Sequence, residues 1–175
     1  MTAVEAYELT TRGGSTDFAR LIKTCESFGP YCLIGGLAVN CYVEPVYTLD
    51  ADLVVISASL PELSALLEAQ GFKVDAYEHS VNALAPGSEL RIQFTTDERY
   101  QAFPARSVEA TVLGIRVRVA CREDVTQGKL WAYGDPKSRL GKRKKDELDL
   151  IRLAEAYPDL KSLYPNELLE QLDRG

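Results

Sequence analysis

The segment Thr48–Ile56 constrains the fold more than any other. It alternates at first and then runs continuously apolar, so it reads as a strong β-strand. Within it stand Asp50 and Asp52. Residues i and i+2 of a strand point to the same face, so both carboxylates project together while Leu49, Ala51 and Leu53 face the core. Two carboxylates a few ångström apart repel each other unless a cation sits between them. Mg²⁺ takes hard oxygen ligands and is commonly held by one or two carboxylates together with substrate phosphates. An exposed Asp-x-Asp without a metal is the bland alternative.

The context upstream adds to this signal. Leu33-Ile-Gly-Gly36 is a strand running into a glycine pair, and Leu37–Tyr42 reads as a helix directly after it. A helix N-terminus offers free N–H groups to phosphate, and glycine at 35 and 36 lets the backbone approach closely. The pattern is not the G-x-G-x-x-G of dinucleotide folds. Thirteen residues separate Gly36 from Asp50. One helix and a return then bring a phosphate cradle and a carboxylate pair to the ends of neighbouring strands.

Hydrophobic residues make up 46% and charged residues 26% of the chain, enough apolar material for a real core. No run of 18 apolar residues exists, so no membrane span is expected. Met1–Asp17 carries Glu5, Glu8 and Asp17 and no apolar h-region, so no signal peptide is expected and a cytoplasmic location follows. The first ten residues read as frayed. Ser15 or Thr16 caps a helix with Phe18, Leu21, Ile22, Cys25 and Phe28 on one face. Tyr31–Ile34 is a short strand, Ser59-Leu-Pro-Glu62 is a capping box opening a helix to Gln70, and Phe72–Tyr77 is a strand. Two hairpins follow, one around Pro86-Gly87-Ser88 and one around Gly114. After Ala120 the period becomes helical, with helices at Glu123–Tyr133, Lys144–Ala156 and Pro165–Leu172. This order predicts an α+β fold: a mixed sheet flanked by helices over residues 1–120, with a C-terminal helical half, 121–175, packed on it.

Cys25, Cys32, Cys41 and Cys121 lack the close pairing that zinc or redox sites need, so free thiols are expected. The single histidine, His79, reads as a surface residue and Trp131 as core. Leu148, Ile151, Leu153 and Ala156 form the expected core stripe of their helix, with Asp149 and Arg152 on the solvated side. The net charge is −6, yet Lys137–Lys145 holds six basic residues and no acid, leaving −12 for the rest. Such an acidic body with one basic loop, Lys142, Arg143, Lys144 and Lys145 at its end, suits a locally held polyanion or a solvated loop with no partner.

Gly35-Gly36 followed by Asp50-Ala-Asp52-Leu53 resembles the signature of the nucleotidyltransferase superfamily, the DNA polymerase β-like fold. The downstream half, Arg122–Ala132 with Lys129, the basic loop, and Lys145-Asp146-Glu-Leu-Asp149, is similar to the AbiEii and MenT-like group of toxins and phage-defence proteins. The resemblance spans roughly residues 30–156. It implies a nucleotidyltransferase-like sheet and an enzyme that moves a nucleoside monophosphate from a nucleoside triphosphate to RNA such as tRNA, a protein or a small molecule. Asp50 and Asp52 would hold Mg²⁺ or Mn²⁺, and Lys129 would contact the triphosphate. Gly35, Gly36 and Thr48 would line the nucleotide site. Asp146 would support Lys129 or the metal region as a further catalytic residue. Lys142–Lys145 would meet the acceptor, and a cognate antitoxin is the implied protein partner.

Two positions depart from the pattern. Gln93 stands where many members carry a third carboxylate, and Val46 where the family tends to have arginine. A glutamine accepts a hydrogen bond but cannot take up a proton, so slow catalysis is expected. The alternative is a catalytically degenerate protein of the same fold that binds nucleotide, RNA or protein.

Overall fold

The computed structural model describes residues 1–175. In chain order the helices are α1 (Ala3–Thr10), α2 (Gly14–Glu26), α3 (Gly35–Val39), α4 (Leu60–Ala69), α5 (Arg122–Tyr133), α6 (Leu140–Ala156) and α7 (Asn166–Arg174). The strands are β1 (Tyr31–Ile34), β2 (Asp50–Val55), β3 (Lys73–Ala76), β4 (Ser80–Leu84), β5 (Arg91–Thr95), β6 (Val108–Val112) and β7 (Ile115–Val119). They form one mixed sheet in the order β3-β4-β5-β2-β1-β7-β6, and the α+β expectation holds.

β2 lies in the middle of this sheet, antiparallel to β1 and parallel to β5. That position explains its composition. Beyond Asp52 it is buried on both faces, and Leu53, Val54 and Val55 supply the continuous apolar run. β5 instead alternates, with Ile92 and Phe94 buried and Arg91 and Gln93 exposed, so one face of the β5 side of the sheet is uncovered. α3 packs on β1 and β2, while α5 and α6 pack on α3. Phe18, Leu21, Ile22 and Cys25 of α2 are buried as their spacing predicts.

Several local expectations are overturned. The first ten residues are not frayed: Thr2 and Glu5 form a capping box for α1, and Tyr7 enters the core. α2 is not capped by its own Ser15 or Thr16. The Glu8 carboxylate reaches across from α1 and accepts from the backbone N–H groups of Ser15 and Thr16 at 2.9 and 3.0 Å. Ser59 lies in helical backbone at the end of a short 3₁₀ turn and makes no side-chain cap, so the expected box at α4 does not form. α6 begins at Leu140, four residues early, because the Lys/Arg run is made of good helix formers. Its core face is Leu150, Leu153 and Ala154, and Leu148 is exposed. The four cysteines are free, with Cys25 and Cys32 buried and Cys41 and Cys121 half-buried. His79 is exposed, and Trp131 is half-buried against Tyr100 and Phe103. No helix is long and apolar enough to cross a membrane.

Glu8 acts as the cap of α2, so Glu8→Ala should cost about 1 kcal/mol, the usual worth of a cap. The hydrogen bonds from Ser15 and Thr16 hold the Glu8 carboxyl below its ordinary value of 4.5. Its contribution is therefore full above that value and lost as pH falls through the lowered folded value. Denaturant titration of wild type and Glu8→Gln at neutral and acid pH should show a gap that closes in acid.

Candidate active site

The start of β2 and the end of β1 meet at the centre of the molecule. Asp52 pairs with Ile34, the last residue of β1. Gly35 follows with φ +69°, and a Cβ built there would lie on the Asp52 carboxylate. Gly35 is thus fixed twice, by conformation and by contact. Gly36 is different: a Cβ there would sit 3.5 Å from Thr48 Oγ1, an ordinary contact. The short helix α3 carries both glycines in its first turn rather than following them, and it ends at Val39 instead of Tyr42. Thr48 Oγ1 accepts the Asp50 N–H at 3.3 Å and so shapes the entry of β2.

Asp50 and Asp52 share one strand face, as their spacing requires. Arg91, opposite Asp50 in β5, donates from Nε to Asp50 Oδ1 at 2.7 Å. Asp52 has no such partner. Burial, and then the neighbouring Asp50 charge, push its carboxyl up to about 6, while Lys129 and Lys142 pull the other way. No cluster of three or more His, Cys, Asp or Glu side chains is built to hold a metal. Two crowded hard-oxygen donors with an unmet need for positive charge nevertheless suit a divalent cation whose remaining ligands are phosphate and water.

These residues line a cleft of about 940 Å³, near the upper end of the range of about 300–1,000 Å³ usual for ligand sites. Gly35, Gly36, Thr48, Asp50, Asp52, Lys129 and Asp146 all line it, so the structure gathers these predicted residues in one place. The basic group is divided. Lys142 and Lys145, with Arg139, are on the cleft wall, whereas Arg143 and Lys144 are not, and Lys144 pairs with Glu147 at 3.1 Å.

Lys129 is not a free cation. Its ammonium lies 2.8 Å from both Asp146 Oδ1 and Asp149 Oδ2, with 11% of the side chain exposed. Burial alone would lower its pKa, but Asp149 and Asp146 outweigh burial and hold it above the ordinary lysine value. Arg152 in turn bonds Asp149 at 2.8 Å and the Glu44 carbonyl. Asp149 and Arg152 therefore belong to a closed network, not to a solvated face. The available signal was the three-residue spacing from Asp146 to Asp149 and from Asp149 to Arg152.

The sequence points to Gln93 beside the carboxylate pair, but not to Asp75 or Asn82. Along one uncovered face of the sheet, Asp75, Asn82, Gln93 and Asp52 pair in successive strands. Asn82 Oδ1 is buried without a hydrogen-bond partner. Gln93 thus stands directly opposite Asp52.

No protein-family profile matches the chain, and comparison with curated proteins gives no match. Solved structures do match. The antibiotic-resistance factor ANT(2″)-Ia in solution aligns with a TM-score of 0.53 at 19% identity over 90% of each chain. ANT(2″)-Ia in complex with adenylyl-2″-tobramycin aligns with a TM-score of 0.55 at 17% identity, over 86% of this chain and 98% of that one. This chain has the nucleotidyltransferase fold. An antigenic nucleotidyltransferase-like protein from Paracoccidioides brasiliensis shares it, with a TM-score of 0.51 at 19% identity over 89% of this chain and 91% of that one. The fold named from Gly35-Gly36 and Asp50-Ala-Asp52 is the one observed.

Two predictions follow from the site's charges. Asp52→Asn should raise the melting temperature in chelator at neutral pH. The folded carboxyl titrates about 6, above its ordinary 3.8, so wild type is penalised as pH rises through that window. The gain should shrink toward pH 4, and an equal gain at both pH values would contradict the burial account. Lys129→Met leaves Asp146 without a cationic partner and Asp149 with Arg152 alone, and should cost about 3–5 kcal/mol by denaturant unfolding.

Proposed function

We propose that the protein is a Mg²⁺- or Mn²⁺-dependent nucleotidyltransferase. The observation that carries this reading is the paired carboxylates of β2, set against the Gly35 backbone in a cleft that Arg139, Lys142 and Lys145 also line. An acceptor hydroxyl attacks the α-phosphorus of a nucleoside triphosphate, the bond to the β-phosphate oxygen breaks, and pyrophosphate leaves. A divalent ion held by Asp50 and Asp52 would neutralise the charge that develops and orient the in-line attack. Gly35 leaves room for the Asp52 carboxylate. Gln93 can accept a hydrogen bond from the attacking hydroxyl but cannot take its proton, which passes to solvent.

The structural relatives support a small-molecule acceptor, since one carries an adenylylated tobramycin. The resemblance of the downstream half supports a tRNA acceptor, which Arg143 and Lys144 would meet outside the cleft, and a toxin role with a cognate antitoxin. A second reading, a degenerate nucleotide-binding module, is favoured by Gln93 opposite Asp52.

The test is incubation with each labelled nucleoside triphosphate, Mn²⁺, and either total RNA or a small-molecule panel. Asp50→Asn and Asp52→Asn should abolish both transfer and metal-dependent nucleotide binding, and wild-type behaviour of both variants would overturn the assignment. General-base help is worth about 10²–10⁴-fold, so Gln93→Asp should speed single-turnover transfer if the missing carboxylate limits the enzyme. Nucleotide binding without transfer by either protein would select the degenerate reading.

A further inference from the structure

A nucleotidyltransferase must hold a triphosphate, and the resemblance gives that task to Lys129. The structure argues against it. The Lys129 ammonium is already bonded to two carboxylates at 2.8 Å, and Arg152 completes a cluster of two positive and two negative charges. A phosphate approaching Lys129 would meet Asp146 and Asp149 as closely as the ammonium. Withdrawing Lys129 toward a phosphate would leave the buried Asp146 carboxylate unpaired and Asp149 held by Arg152 alone, which is strongly unfavourable.

Lys142 is placed differently. It sits in the first turn of α6, is exposed, lines the cleft and makes no ion pair in the structure. It lines the same cleft as Asp50 and Asp52. Lys145 stands three residues on, on the same helix face, and Arg139 is the residue just before α6 begins. Both also line the cleft and make no ion pair. These three cations make no ion pairs, lie close together in the chain and line the same cleft as the carboxylate pair. A polyanion bound among them relieves their mutual repulsion.

We propose that Lys142, flanked by Arg139 and Lys145, binds the triphosphate of the nucleotide and the departing pyrophosphate, and that Lys129 is a structural strut joining α5 to α6. The inference rests on the nucleotidyltransferase reading. It moves Lys142 and Lys145 from the acceptor to the nucleotide and leaves Arg143 and Lys144 for the acceptor.

Inorganic tripolyphosphate with Mn²⁺ tests this without knowledge of the base. Calorimetric titration at 10 °C is paired with thermal unfolding. Lys142→Ala should weaken binding about tenfold or more, the worth of a lost charge-assisted contact, with an unchanged melting temperature. Lys142→Arg should retain most of the affinity, and Lys23→Ala, remote in sequence and exposed, should match wild type. Lys129→Met should melt earlier, yet bind within a few-fold while folded. Wild-type binding by Lys142→Ala, or loss of binding by folded Lys129→Met, would overturn the inference while leaving the proposed activity standing. Failure of wild type to bind either tripolyphosphate or any nucleoside triphosphate with Mn²⁺ would remove both.

Discussion

The repulsion between Asp50 and Asp52 organises the centre of this molecule. A carboxylate pair on a half-buried strand is unfavourable, and the burial of Asp52 makes it more so. The surroundings limit the cost in three ways. Arg91 lies across the strand pair and neutralises Asp50. Gly35 supplies no Cβ, so Asp52 can turn into that space rather than toward Asp50. Beyond Asp52 the strand becomes wholly apolar, and Leu53, Val54 and Val55 anchor it between β1 and β5. The strand end that holds the unfavourable charges is therefore fixed by a run of buried residues in the middle of the sheet.

A second electrostatic arrangement sets the opposite wall. Lys129 of α5 bridges Asp146 and Asp149 of α6, and Arg152 extends the network to the Glu44 carbonyl in the segment between α3 and β2. Tyrosine hydroxyls add to the same junction. Tyr42 donates to the Ala120 carbonyl at 2.7 Å, and Tyr157 donates to the Tyr42 carbonyl at 2.9 Å. These bonds fix the helical half against the sheet. Since the network ties α6 to α5, it also helps to hold Lys142 and Lys145 on the cleft that contains the carboxylates. A charge-neutral cluster thus positions an uncompensated one.

Much of this was legible in the chain. The strand–glycine–glycine pattern, the spacing to Asp50 and Asp52, and the two hairpins each have a local cause, so the residues alone reveal them. Contacts with a non-local cause were hidden. Glu8 caps a helix seven residues away, so neither Ser15 nor α1 disclosed it. The fate of Lys129 depends on how α5 meets α6, which no local pattern states. The polar row from Asp75 to Asp52 exists only once four strands are in register, and register depends on turn geometry as well as on alternation. The basic run was misread as loop because its charge pattern suggested solvent, while its helix propensity decided the structure.

That polar row also gives a physical reason for Gln93. The row ends in carboxylates, Asp75 and Asp52, with two amides between them. Strands are spaced about 4.8 Å apart, so the terminal charges lie about 14 Å from each other. That exceeds the screening length of about 10 Å at 0.1 M salt, and the two ends scarcely repel. A carboxylate at position 93 would stand one strand spacing from Asp52. Like charges directly opposite in a sheet are destabilising, and Asp52 is already crowded by Asp50, with Arg91 the sole guanidinium bonded to the pair. Glutamine keeps a hydrogen-bonding group at that place and adds no charge. On this argument the departure from the family pattern is coupled to the burial of Asp52: the deeper that carboxylate sits, the less the sheet tolerates a third beside it.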